Sequence, residues 1–368
     1  MAALTMRVLV VNAGSSSLKL RLLGPRDEIV AAADVERWST GDPEPVVVFV
    51  KEHRSIDAVG HRVVHGGTEY DRPVLVTPQI REHLARLADL APLHQPRALA
   101  GIDVAASVLP GVPAVACFDT AFHAGLPEPA ATYPVPAEWR RRWAIRRYGF
   151  HGLSHEYAAG RAAQLLGRPL TELRLVTCHL GAGASLAAVS GGRSVDTTMG
   201  FTPLEGLVMA TRSGSIDPGL PLWLIEHAGL SPAEVTEGLE RHSGLAALAG
   251  GSGDMRDVLA AADAGDPGAR LAFDVYVHRL RREIAAMTAS LGGLDAVVFT
   301  GGVGEHQPRV RAAAGLAYLG LVVDDRRNAV TGQDADLSVP GSRVRALTVV
   351  SREDVVIARQ TRRLLAGG

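Results

Sequence analysis

The sequence predicts an α/β protein made of two related sheet domains, and three stretches carry that prediction. The opening RVLVVN, AGSSS, LKLRLL reads as strand, small-residue turn, strand. The same pattern returns mid-chain as LRLVTCH, LGAGAS, LAAVSGG. A third apolar strand, DAVVF, runs into the glycine turn TGGVGEH and then a helix-like stretch, PRVRAAAGLAYLG. In the first two units a polar side chain, Asn12 or His179, closes an apolar strand just before the turn. Their separation far exceeds the roughly 20–50 residues of a stacked repeat, so the pattern points to a duplicated domain.

Helical spacing of apolar residues fills the gaps between these units. PQIREHLARLADLA has it, and FDVYVHRLRREIAAMTASLGG reads as a long helix stopped by two glycines. SREDVVIARQTRRLLAGG reads as a final helix with Ser351 as N-cap, acidic residues in its first turn and arginines later. The expected boundary lies near Gly149–Gly152. Residues 1–150 would form an N-terminal domain, 151–353 a C-terminal one, and the last helix (about 354–368) would pack back on the first.

A chain of 368 residues suits two domains, perhaps a third, at roughly 150 residues each. Apolar residues make up 47% and charged residues 21%, the balance of a globular protein with a sizeable core. Lys+Arg 38 against Asp+Glu 39 leaves a net charge of −1. That removes the basic footprint of a nucleic-acid binder and any pull toward an anionic membrane. Lys19 and Lys51 are the only lysines, so lysine chemistry has two candidates. Cys117 and Cys178 sit in apolar runs and read as buried, reduced thiols. No apolar run approaches the roughly 18 residues of a spanning helix, and MAALTM is too short and uncharged for a signal peptide, so a cytoplasmic protein is expected.

Glycine turns at strand ends gather bare backbone N–H groups, which suits a polyanion such as a nucleotide phosphate. One such turn fits a plain hairpin equally well; three are harder to explain that way. No GxxxxGK[ST] occurs, and the 181–183 and 302–304 turns lack the third glycine of GxGxxG. These absences argue against P-loop enzymes and Rossmann dehydrogenases. Polar clusters stand out in otherwise apolar stretches: His61, Arg62 and His65; Asp119 and His123; Arg147, His151 and His155. Each histidine also fits a plain hydrogen-bonded role, and the i, i+4 pairs do not read HExxH, which gives zinc little support. No GxSxG is present. TPLEGLVMATRSGSIDPG has neither a strand nor a helix period and reads as a long ordered loop around a lone Arg212.

Together these stretches resemble the acetate kinase family, within the acetate/propionate/butyrate kinases of the sugar-kinase/Hsp70/actin superfamily. The matching segments include VVNAGSSSLKL, GHRVVHGG, FDTAFH, RRYGFHGLSH, TCHLGAGAS, MGFTPLEG with TRSG, GDMRDV, VFTGGVGEH and SREDVVIAR, in family order from residue 8 to about 360. The resemblance implies two ribonuclease-H-like (actin-like ATPase) domains with a cleft between them. It implies reversible transfer of the ATP γ-phosphoryl group to acetate, giving acetyl phosphate and ADP, with Mg²⁺ (or Mn²⁺) and a homodimer. The implied catalytic residues are Arg62, Asp119, His151 and Arg212. Val64, Leu93, Phe150 and Pro203, with Arg62, would hold the substrate. Ser15, Ser17 and Lys19, the turn His179, Leu180, Gly181, Ala182, Gly183, the stretch Asp254, Met255, Arg256, and the segment Gly302, Val303, Gly304, Glu305, His306 would hold the nucleotide. Asn12 and Glu353 would hold the metal. The chain departs from the family at Ala182 (usually Asn), at Gln95 and at Ser215 (often Asp), which bears on nucleotide affinity or donor choice. Propionate or another short carboxylate is the alternative substrate, since one methylene changes discrimination by only about 1–3 kcal/mol. A non-catalytic actin/Hsp70-like nucleotide binder is the alternative from another class; it has no use for two site arginines and an apolar pocket.

Overall fold

A computed structural model describes residues 5–14, 17–53, 55–91 and 94–367. Two six-stranded sheets organise the chain. The first contains β1 (Val8–Ala13), β2 (Ser17–Leu23), β3 (Ile29–Glu36), β4 (Ala58–Val63), β5 (Val74–Leu75) and β6 (Ala114–Phe118), in the order β3-β2-β1-β4-β6-β5. Strands β1, β4 and β6 run parallel, while β2, β3 and β5 are antiparallel to their neighbours. The second contains β7 (Arg174–Leu180), β8 (Ala184–Ser190), β9 (Arg193–Thr197), β10 (Ala296–Thr300), β11 (Ala335–Asp336) and β12 (Arg345–Thr348), in the order β11-β12-β10-β7-β8-β9. Here β7, β10 and β12 run parallel and β8 and β9 extend the sheet antiparallel. The run β3-β2-β1-β4-β6 thus has the order and sense of β9-β8-β7-β10-β12, which is the duplication anticipated from the two strand-turn-strand units.

Why the central strands are apolar throughout follows from the layers. In β1, Leu9 and Val11 point toward helices Glu44–Glu52 and Gln95–Val108, packing with Val46, Phe49, Val104 and Ala105. Val8 and Val10 point the other way, toward Val355, Val356, Ile357 and Ala358 of the final helix, Glu353–Leu365. Side chains alternate across a strand, so a sheet covered on both faces needs an unbroken apolar run. In the second sheet β10 is buried at all five positions, and helix Pro267–Leu291 packs along β7 and β8. That helix starts earlier than its apolar period indicated, because Asp266 accepts a hydrogen bond from Ala269 N–H and caps it.

Two compact units result. One contains residues 1–124, 150–157 and 352–368; the other contains 125–149 and 158–351. The linear boundary near 150 does not mark this division: the segment 125–149 belongs to the second unit, and the chain then revisits the first before leaving it within helix Gly152–Leu166. The final helix packs on β1, β4 and β6. Its N-cap is Arg352 and not Ser351, because the Ser351 N–H donates to the Glu305 carboxylate at 2.9 Å and holds that residue outside the helix. The glycine segment after β10 is itself a short helix, Gly301–His306, followed by another, Pro308–Ala313. Residues 198–218 form no regular element, as their aperiodic sequence indicated. Both cysteines are buried and outside any disulfide.

Candidate active site

In the first unit four predicted residues meet where the parallel strands end. Asn12 lies near the end of β1, Arg62 near the end of β4, Asp119 one residue past β6, and Glu353 opens the final helix. Arg62 Nε donates to both Asp119 oxygens at 3.2 and 3.1 Å, and its Nη2 donates to Oδ2 at 2.7 Å. Its Nη1 stands 3.5 Å from Glu353, and Asn12 Nδ2 donates to the same Glu353 oxygen at 3.4 Å. Asp119 is 1% exposed. Burial pushes its carboxyl up to about 6, against the pull of Arg62 and its hydrogen bonds. For Arg62 burial also disfavours charge, but Asp119 and Glu353 outweigh it and hold the guanidinium above its ordinary range. The pair is therefore a fixed cation seated on a buried anion. Lys19 lies directly across the β1–β2 ladder from Asn12 and is exposed; Ser17 opens β2.

Around this cluster, Val64 and Phe150 are buried at 8% and 1% exposure. Phe150 packs its ring 5.5 Å from His65, and its carbonyl oxygen lies 3.1 Å from His123 Nε2. His151 follows with φ +55°, a left-handed backbone uncommon for a side-chain-bearing residue and a mark of a constrained position. Its backbone N–H helps hold Asp119. Gln95, a departure from the family, is fully buried; its amide donates to the His65 and Leu84 carbonyls and accepts from His65 N–H, so it braces the chain after Arg62. Ser15 and Leu93 lie outside the described residues.

The second unit gathers the rest. His179 lies one residue before the end of β7, beside Thr300 of β10 in parallel register, which sets the 181–183 turn next to the Gly301–His306 helix. The exposed Ala182 lends its carbonyl to Ala210 N–H at 3.1 Å, tying the turn to the loop that carries Arg212. Arg212 Nη1 donates to the Pro203 carbonyl at 2.8 Å. Ser215 uses its hydroxyl to accept from Gly206 N–H at 3.0 Å, a backbone brace. Gly253 sits at φ +77°, where an added Cβ would fall 2.3 Å from the Ala210 carbonyl, so Asp254 begins its helix close beside the same loop. Asp254 caps that helix and pairs with the exposed Arg256, while Met255 is buried.

One predicted contact residue, Glu305, turns inward, and so does Arg311. The Glu305 carboxylate accepts from Gly301 N–H and Ser351 N–H, both at 2.9 Å, so it shapes the glycine helix from behind. Arg311, fully buried, donates to the carbonyls of Gly304, Glu305, Asn328 and Val330 and to the Asn328 amide oxygen. Burial pulls its pKa down to about 10. Neither Arg311 nor the Tyr133–Arg147–Glu205 cluster described below was assigned a role from sequence. An arginine amid RVRAAAG offers no local sign that it turns inward.

The profile of the acetokinase family matches residues 44–359. An acetate kinase of Leifsonia xyli is 48% identical across 98% of this chain and 99% of that protein. The crystal structure of Porphyromonas gingivalis acetate kinase superposes with a TM-score of 0.90 at 35% identity, covering 98% of this chain and all of that one. A propionate kinase from Francisella tularensis gives the same TM-score, identity and coverage. The class these findings define is a phosphotransferase with a carboxyl group as acceptor, built on a doubled actin-like ATPase fold. The chain belongs to the acetokinase family.

Proposed function

We propose that this chain transfers the γ-phosphoryl group of ATP to acetate, reversibly, giving acetyl phosphate and ADP. The observation that carries the reading is Arg62 fixed on buried Asp119 at the strand ends, beside the buried Val64 and Phe150. Acetate is already ionised at neutral pH and needs no general base. One carboxylate oxygen attacks the γ-phosphorus in line, the bond to the ADP oxygen breaks, and no proton moves. The obstacle is repulsion between anions, so positioning and charge stabilisation supply the rate.

Arg62 orients the substrate carboxylate with its remaining N–H groups, and Asp119 keeps the guanidinium in one rotamer. Val64 and Phe150 would meet the methyl group, and Leu93 and Pro203 are the other residues that the family resemblance assigns to it. Arg212 and His151 meet the transferring phosphoryl, and His179 with the 180–183 turn, Lys19 and Ser17 face the nucleotide phosphates. Asp254, Met255 and Arg256, with the 302–306 helix, border the nucleoside.

Asn12 and Glu353 fit a hard divalent cation. The two side chains meet, Asn12 Nδ2 standing 3.4 Å from a Glu353 oxygen, and the Asn12 amide oxygen and the Glu353 carboxylate are the hard ligands that would hold the ion beside waters and phosphate oxygens. Bound there, Mg²⁺ (or Mn²⁺) would neutralise the departing diphosphate.

The test is to trap acyl phosphate as hydroxamate with acetate, propionate and butyrate, offering ATP, GTP and pyrophosphate in turn. Acetate with ATP is expected to give the highest kcat/KM. No acyl phosphate from any pairing would remove the reading.

We also propose a homodimer. Helix Gly219–Glu226 has no buried residue and exposes Leu220, Leu222 and Trp223 at 43%, 59% and 54%, with Leu230 nearby at 36%. Contiguous exposed apolar side chains of this kind mark an interface, and a second copy is the occupant that the same helix can supply. Light scattering after size exclusion is expected to show a dimer for the wild type and a monomer for Leu222→Asp with Trp223→Glu. A monomeric wild type would sink the proposal.

A further inference from the structure

The loop from 198 to 206 carries Pro203 but makes no sheet or helix of its own. What holds it is a cluster of three side chains behind it, two of them from the segment 125–149. The Tyr133 hydroxyl donates to Glu205 Oε2 and accepts from Phe201 N–H at 3.0 Å. Arg147 Nη2 donates to the other Glu205 oxygen at 2.6 Å, while its Nη1 donates to the Thr198 and Met199 carbonyls, both at 3.1 Å. The guanidinium also lies 5.4 Å from the centre of the Tyr133 ring. Tyr148 N–H donates to the Gly200 carbonyl at 3.0 Å. A Cβ on Gly200 would fall 1.8 Å from Glu205 Oε2 and 2.0 Å from the Tyr133 oxygen, so the cluster closes only over a glycine.

Every one of these bonds ends on the loop, and the loop in turn accepts from Arg212 through the Pro203 carbonyl. Each Glu205 oxygen thus accepts from a member of the cluster. Burial holds the Tyr133 hydroxyl well above its usual range, so it stays protonated and remains a donor to the carboxylate.

We propose that Tyr133, Arg147 and Glu205 are positioning residues that set where Pro203 and Arg212 stand, and so tune selectivity for the length of the carboxylate chain. The inference rests on the reading of Pro203 as a wall of the methyl pocket. A hydrogen bond to a charged group is among the stronger ones, and losing it leaves Glu205 and Phe201 N–H short of a partner. The slack appears at Pro203, where an apolar wall discriminates by contact alone.

The test measures kcat and KM for acetate, propionate and ATP with Tyr133→Phe, Glu205→Gln and Pro203→Ala. In Tyr133→Phe the KM for acetate is expected to rise about tenfold. KM for ATP is expected to stay within about twofold, and the propionate-to-acetate ratio of kcat/KM to rise about threefold or more. Glu205→Gln, which keeps the shape and can still accept from Tyr133, should shift the same ratio less. A merely structural role would lower Tm and the active fraction while leaving both KM values and the ratio alone, and that result overturns the proposal. Equal shifts in the acetate and ATP KM values overturn it too. If Tyr133→Phe does not fold, the ratio in Glu205→Gln decides: unchanged from wild type, it rejects the proposal. Pro203→Ala separates the two levels. An altered acetate KM there, with Tyr133→Phe like wild type, removes only the positioning role. An unaltered acetate KM in Pro203→Ala removes the pocket reading and this inference with it.

Discussion

Arg212→Ala is expected to lower kcat for acyl phosphate formation by about 10³-fold, because an arginine that meets the transferring phosphoryl group can contribute that much. Its setting in the structure makes the case. Desolvation pulls its pKa down and Glu240 pulls the other way, yet among the described residues no ion pair joins Arg212 to a carboxylate. Its bond to the Pro203 carbonyl takes one N–H and leaves the others for an anion. Desolvating a guanidinium costs stability that Glu240 offsets only in part, and the group does not give up its proton to relieve that cost. Removing it should therefore leave Tm unchanged or raise it while activity collapses. Arg212→Lys should recover only part of the rate, since a point charge lacks the planar fork. Hydroxamate trapping and a thermal melt on the same preparation check both halves. Turnover within about twofold of wild type would remove Arg212 from the chemistry.

Arg62→Ala should behave in the opposite sense for stability. Here the arginine is seated on Asp119, and its removal strands a buried carboxylate, with Glu353 nearby. Breaking one side of such a pair costs about 3 kcal/mol or more. Catalysis should fall by at least about 10²-fold as the substrate carboxylate loses its anchor. The sign of the pH dependence follows from linkage. The Asp119 carboxyl is already pushed up by burial, and without the guanidinium it rises further. In the variant, protonation relieves the stranded charge, so the stability gap to wild type is widest near pH 8 and narrows as the pH falls. Arg62→Ala combined with Asp119→Asn should recover Tm without activity. A single variant that melts like wild type at pH 8 would mean that the pair is not the buried unit drawn above.

Several candidate site residues were legible in the sequence because local pattern exposes them. A polar residue just before a small-residue turn marks the end of an apolar strand, and Asn12 and His179 each lie one residue from the end of an interior strand. Arg62 was visible because it stands with His61 and His65 as a polar cluster in an otherwise apolar stretch. Helix ends were less legible. Ser351 has the chemistry of an N-cap, but a carboxylate from residue 305 claims its N–H first. The same holds for Gln95 and Ser215, whose side chains serve the backbone of distant segments.

Residue order and polarity settled the duplicated sheet, because apolar alternation and glycine turns act over a handful of neighbouring residues. The Tyr133–Glu205 contact joins positions 72 apart, and the Arg62–Asp119 pair joins positions 57 apart. Whether a carboxylate meets a phenol, a guanidinium or a backbone N–H depends on which strands and loops lie side by side. That choice sets its charge, its rotamer and its role, and no local window of the chain contains it.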